Sequence, residues 1–231
     1  YYGNITFIDH QIGRVLYELK RYSREVWHNT MVIFTSDHGD MMGDHHHWRK
    51  TYAYEGSARV PFVMRFPSAW DIEREQVLDQ PIELRDIMPT CLDAAGVDIP
   101  DNVDGKSLLT IARDPIAEWR DFVQGEHTTC YDSDYGMQYV TDGREKYIWY
   151  HHTGEEMFFD LEEDPIECRE LSKSESHADR VALWRRRLAE INENRGDPRG
   201  QNGELVVQPD GALRLSPKYD EWKHRALEVM G

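Results

Sequence analysis

"TMVIFTSDHGDMMGDHHHWRKTYAYEGSARVPFVMRF", Thr30 to Phe66, is two short apolar runs with a polar loop between them. The first run, Thr30 to Ser36, is β-branched and too short for a helix, which predicts a buried strand. The second, Arg59 to Phe66, predicts another, with Pro61 at its start or on a sheet edge. Asp37 and His38 leave the first strand, and Gly39 lets the backbone turn where a side chain would obstruct it. In open parallel sheets ligands sit beyond the carboxyl ends of strands, which is where this polar loop begins.

Working outward, Ile5, Ile8, Ile12, Val15, Leu16 and Leu19 recur at helical spacing behind Asn4, a candidate N-cap. Leu84, Ile87, Met88, Cys91, Leu92 and Ala95 trace a second helix, stopped by Gly96 and Pro100. Helix, strand and polar loop in alternation predict an α/β layer fold. Past Asp114 the texture changes. "GMQYVTDGREKYIWY" sets an Asp-Gly turn between two aromatic runs, and "HHTGEEMFFDL" adds another turn and strand, which predicts an antiparallel meander. Val181, Leu183, Trp184, Leu188 and Ile191 predict a helix from Glu175 to about Arg195, with Arg185 to Arg187 on its solvated face. "LVVQPDGALRL" reads as a further hairpin and Lys218 to Val229 as a terminal helix. The expected boundary falls near residue 115, giving an α/β portion over 1–115 and a subdomain of sheet, helix and tail over 116–231.

Lysine and arginine total 27 against 43 acids, a formal charge of -16, which argues against nucleic acid or an anionic membrane as partner. No apolar run approaches the roughly 20 residues of a membrane span. An anionic ligand then needs a local positive patch, which screening over roughly 8 Å permits. Cys91, Cys130 and Cys168 are odd in number and far apart, so they read as buried free thiols rather than as a disulfide framework. The opening "YYGNITFIDHQIG" has neither initiator methionine nor signal peptide and reads as part of something longer, so compartment stays open: periplasmic, extracellular or cytoplasmic.

A carboxylate and an imidazole at a strand tip suit a divalent cation. Thirteen residues after Asp37 comes Lys50, on a loop that starts and ends at core strands, so its ammonium is a candidate to stand near those ligands. With these residues in view, "TSDHGDMMGDHHHWRKTYAYEGSARVPFVM" resembles the segment of the type I sulfatases, in the alkaline phosphatase superfamily, that carries late metal ligands and a sulfate-binding lysine. "YYGNITFIDHQIGRVLYELK", "ELRDIMPTCLDAAGVDIPDNVDGKSLL" and "REKYIWYHHTGEEMFFDLEEDPIECRELS" extend the resemblance in the family's order.

The resemblance implies the C-terminal part of an alkaline-phosphatase-like α/β/α sandwich plus a small antiparallel sheet with a packed helix. It implies Asp37 and His38 as ligands of a divalent cation, calcium first, with manganese or zinc as alternatives because imidazole suits so hard an ion poorly. It also implies Lys50 on a sulfate oxygen and His45, in "GDH", lining the pocket. The family reaction is in-line attack on sulfur by a formylglycine hydrate, with the lysine offsetting charge that builds on the sulfate oxygens beside the cation. Glu126, His127, Tyr131 and Arg144 are candidates for a substrate-binding wall. The expected substrate is a sulfated carbohydrate or an aryl sulfate.

The sequence departs from the family in what it lacks: Cys91, Cys130 and Cys168 are all outside the C/S-x-P-S-R context in which formylglycine forms, and the early aspartate ligands and the pocket histidine that protonates the leaving group have no counterpart. The nucleophile and the early aspartate ligands are therefore expected in an N-terminal half absent from this chain, and the isolated chain is expected to be inactive. Two rivals keep the residues and change the role. One is a phosphonate monoester or phosphodiester hydrolase of the same superfamily, and the other is a non-catalytic metal-binding remnant.

Overall fold

Ser23 decides where the first helix ends. Its backbone is extended, at φ -156°, so α1 (Tyr2–Tyr22) stops there, and its hydroxyl accepts from the Val26 N–H at 3.2 Å to cap α2 (Arg24–His28). The computed structural model describes residues 1–127 and 136–208. The chain divides into two compact units, one of Tyr1–Asp37 with Val60–Trp119, the other of His38–Arg59 with the chain from Arg120 onward.

In the first unit β1 (Val32–Thr35) pairs with β2 (Phe62–Arg65), Val32 opposite Arg65 and Thr35 opposite Phe62. The Arg65 guanidinium lies 3.8 Å from the Trp27 ring centre and donates to the carbonyls of Trp27 and Thr30, tying the strand pair to the end of α2. Helices α4 (Ile87–Ala94) and α5 (Leu109–Arg113) follow a short α3 (Glu55–Ala58) that belongs to the other unit. The fully buried Asp86 accepts from the N–H groups of Glu83 and Lys106 at 2.9 and 2.8 Å, which joins the start of α4 to the loop before α5. Phe66, Ile72, Leu109 and Ala112 form the core.

Three expectations change here. The strand pair is antiparallel, and β1 is only partly covered, with Phe34 43% exposed. Helix α1 starts at Tyr2 rather than after Asn4, and none of its residues is buried. Periodicity identifies which face of an element is apolar; it carries no information on what covers that face. Cys91 and Cys168 are exposed rather than buried, and Cys130 lies outside the described residues.

The second unit is built on an antiparallel sheet of β3 (Val123–His127), β4 (Met137–Thr141), β5 (Glu145–Tyr150) and β6 (Glu156–Asp160), in that order. The Asp142–Gly143 turn works as its residue types demand. Gly143 takes φ +87°, and the Asp142 carboxylate accepts from the N–H groups of Arg144 and Glu145. Strand alternation then sends side chains to two covered faces. Val140, Tyr147, Trp149 and Phe158 meet Val181, Trp184 and Leu188 of α6 (Ala178–Asn194). Met137, Ile148 and Phe159 meet Met41, Ala53 and Tyr54 of the 38–59 segment. Because both faces are covered, four consecutive residues of β5, Lys146 to Trp149, are buried.

The Arg185–Arg187 triplet is only partly a solvated face. Arg185 is paired to both carboxylate oxygens of Glu156, and the Arg187 guanidinium lies over the rings of Trp184 and Phe122. The carboxylate and the ring faces lie within reach of α6, so only Arg186 of the three is left exposed. A last strand pair, β7 (Gly200–Gln201) with β8 (Glu204–Leu205), turns at Asn202–Gly203, both at positive φ. It precedes the hairpin expected over Leu205 to Leu215. From residue 209 that expectation, and the one for a helix over Lys218 to Val229, lie outside the described residues.

Candidate active site

The loop between Asp37 and the second strand is folded back on itself by its own backbone. The Gly39 N–H donates to the Ser57 carbonyl at 2.8 Å, the Met41 N–H to Arg49 at 2.7 Å and the Gly43 N–H to His47 at 2.9 Å. The Asp40 carboxylate accepts from the N–H groups of both Met42 and Arg49. A Cβ on Gly39 would sit 2.1 Å from the Gly56 carbonyl oxygen, so the glycine after Asp37–His38 is required by close approach of two backbones. His45 stacks on Tyr54 and His47 on Tyr52, with ring centres 4.1 and 4.2 Å apart, and His45 Nε2 donates to the Ile166 carbonyl at 3.1 Å. Burial first, then the neighbouring His45 and His46, holds His47 below the usual imidazole pKa.

Backbone strain concentrates in this loop. Met42, His45, His46, Arg49 and Thr51 all have positive φ, between 51° and 90°. For the β-branched Thr51, at φ 90°, this is a costly conformation. Lys50 stands between two of these residues, is exposed, and makes no ion pair or hydrogen bond among the described residues. Its neighbour Arg49 accepts through its carbonyl from the Met41 N–H, so the turn closes beside Lys50.

The sequence candidates sort by this geometry. Asp37 and His38 are exposed just beyond β1. His38 Nδ1 is 2.8 Å from the Gly39 carbonyl, to which it donates. His45 stands in the same loop with its ring committed to Tyr54 and Ile166. Glu126 on β3 faces Arg195, Arg199 and Gln138; burial raises its pKa, but these bonds outweigh burial and hold the carboxyl below its usual range. His127 ends β3 opposite Met137, and Arg144 lies in an exposed turn, 3.6 Å from Glu162. Tyr131 lies outside the described residues.

Sequence reasoning missed three residues beside this loop: Lys146, Glu55 and Glu167. Lys146 is fully buried on β5, on the same face as Ile148, and its ammonium is 2.6 Å from Glu55 and 2.8 Å from Glu167. The available signal was a lysine at an inward position of "EKYIW", which a solvated lysine does not occupy.

Residues 1–97 match the family model described as Sulfatase. Over 196 residues the chain is 45% identical to an arylsulfatase of Clostridium perfringens (strain 13 / Type A), covering 84% of this chain and 40% of that protein. The chain belongs to the sulfatase family. Among solved structures it is similar to a 2-O GAG sulfatase, at TM-score 0.73 and 27% identity, over 82% of this chain and 41% of that one. It is also similar to the phosphonate monoester hydrolase of Agrobacterium radiobacter, at TM-score 0.66 and 28% identity, over 84% and 40%. These sulfatase-family likenesses make the fold an α/β one of alkaline-phosphatase type with small antiparallel sheets. The chain spans about two fifths of the length of these relatives.

Sulfatases in general use a divalent cation and a formylglycine. In this chain the fit is partial. Asp37 and His38 are a carboxylate and an imidazole just beyond β1, yet among the described residues no group of three or more His, Cys, Asp and Glu side chains gathers at one point. A hard cation takes six or more ligands, so two donors would make up only part of its shell.

Proposed function

We propose that this chain carries part of the active site of a sulfuric ester hydrolase, acting on a sulfated carbohydrate or an aryl sulfate. The observation that carries the reading is the strained, self-bonded 38–59 loop, which holds Lys50 exposed, and unpaired among the described residues, between two left-handed residues. In this reading Asp37 and His38 hold a divalent cation, calcium, which lowers the cost of negative charge on the ester. Lys50 binds a sulfate oxygen and offsets the charge that grows there in the transition state. His45, whose ring is stacked and hydrogen-bonded, lines the pocket and keeps the loop's shape. Glu126, His127, Tyr131 and Arg144 belong to a substrate-binding wall. The nucleophilic formylglycine and the remaining ligands come from an N-terminal half of the same enzyme, which makes the isolated chain inactive.

A lysine about 4 Å from that charge contributes on the order of 4 kcal/mol at an effective dielectric of 20, before desolvation is deducted. Lys50→Ala in the full-length protein is accordingly expected to lower kcat for an aryl sulfate on the order of 10²–10³-fold. A variant that keeps its turnover refutes the assignment. The likeness to a phosphonate monoester hydrolase supports a second reading, hydrolysis of phosphonate monoesters. Rates on matched aryl sulfate and phenylphosphonate esters decide between the two.

A further inference from the structure

We propose that Lys146, Glu55 and Glu167 form a buried clamp that positions Lys50, a role that rests on the sulfatase reading above. The three N–H bonds of the Lys146 ammonium are all used, to the Ala53 carbonyl at 2.8 Å, Glu55 at 2.6 Å and Glu167 at 2.8 Å. The second oxygen of Glu167 accepts from the Glu55 N–H at 2.6 Å. Glu167 itself takes a left-handed backbone, φ 57°, and its side chain is 2% exposed. One cation on the central sheet thus grips Ala53 and Glu55, three and five residues beyond Lys50. A carboxylate from the β6–α6 connection, Glu167, grips the same point through the Glu55 N–H.

Stability alone does not account for this cluster. A buried ion pair with apolar neighbours is a weak stabiliser compared with well-packed apolar residues, and its attested advantage is to fix one arrangement. Here the arrangement needs fixing. Arg49 and Thr51 hold conformations that a free loop would relax out of, and Lys50 lies between them. Met41, Ala53 and Tyr54 give the loop its apolar anchorage on the sheet, but apolar contact has no direction and does not set where a nearby ammonium stands. Three short hydrogen bonds from one fully enclosed nitrogen fix the chain at Ala53 and Glu55, just beyond the turn from which Lys50 projects. Lys146 and Glu167 touch no reacting atom in this scheme; they are positioning residues.

The test uses the full-length protein and two variants. Lys146→Met alone strands two carboxylates and risks the fold. The first variant therefore combines Lys146→Met, Glu55→Gln and Glu167→Gln, which removes the charges together and keeps an oxygen for the Glu55 N–H. Amide exchange at Gly39, Met41 and Gly43, whose bonds close the loop, is expected to quicken by about tenfold or more, with the amides of β4 and β5 unchanged. On an aryl sulfate, kcat is expected to fall by about tenfold or more while KM moves less than about threefold, because the lysine acts on charge that develops in the transition state. Unchanged exchange in the loop, or full kcat despite faster exchange, overturns the clamp. Lys50→Met serves as the second variant and is expected to lose turnover with loop exchange unaltered. If it keeps turnover, the sulfatase role of Lys50 fails, and with it the clamp's catalytic purpose. The exchange data on the first variant still decide whether the clamp orders the loop.

Discussion

Acidification from pH 7 to pH 5 is expected to cost this fold stability chiefly through His151, with His47 shifted in the same direction. Its side chain is fully buried just after β5, and among the described residues neither ring nitrogen has a hydrogen-bond partner. Burial first, then the Arg199 guanidinium and the adjacent His152, pushes its pKa from the ordinary 6.5 down to about 4, against the pull of Asp197 and Glu126. The folded state therefore keeps the ring neutral while the unfolded chain takes up a proton below pH 6.5. More protons bound in the unfolded state means that stability falls as pH falls, between about 6.5 and 4. Integrating over those two pKa values gives a loss of about 2 kcal/mol between pH 7 and pH 5 and about 3 kcal/mol by pH 4. The paired carboxylates Glu126, Glu145, Glu156 and Asp197 have depressed pKa values, so their contributions are lost mainly below the ordinary carboxylate range and leave the pH 5–7 window to the imidazoles. Urea unfolding followed by tryptophan fluorescence at pH 7 and pH 5 measures the slope, and His151→Leu isolates the residue. Leucine removes both unpartnered nitrogens, so the variant is expected to match or exceed the parent at pH 7 and to lose about 2 kcal/mol less on acidification. Equal pH dependence in the two proteins refutes the reasoning, whatever their absolute stabilities.

Other changes test separate parts of the structure. Trp184→Ala removes a fully buried indole that faces Tyr147, Trp149 and Phe158, and is expected to cost about 3–5 kcal/mol in a urea titration. Gly39→Ala forces a methyl onto the Gly56 carbonyl, and the Gly39–Ser57 bond has to open. A loss of roughly 1–3 kcal/mol is expected, together with faster exchange at Met41, and a neutral result shows that the two backbones do not meet. Glu156→Gln leaves Arg185 without its carboxylate and the Tyr147 hydroxyl without its charged acceptor. A loss of about 1–3 kcal/mol is expected at pH 7, shrinking as the parent's own carboxylate is protonated in acid. Chelation of divalent cations from the full-length protein is expected to abolish sulfate-ester turnover, with calcium restoring it better than zinc; recovery by zinc alone argues for the phosphatase-like members of the superfamily.

The sequence by itself determined local structure and the family. The 3.6-residue rhythm of α1 and α6, the Asp-Gly turn of the β4–β5 hairpin and the aromatic alternation along β5 and β6 are properties of neighbouring residues, so they can be read from the chain. The Asp37–His38–Gly39 and Lys50 pattern is local in the same way, which is why it could be put forward as a candidate site. Partnership between distant segments was not legible, because nothing local encodes which surface covers which face. Only the tertiary structure put the 38–59 loop on one face of the sheet and α6 on the other, turned an ordinary-looking Lys146 into an enclosed ion, and drew Arg185 and Arg187 inward. A buried charge is stabilised by groups up to 93 residues away along the chain, here the Ala53 carbonyl on Lys146, and no window of sequence spans that distance.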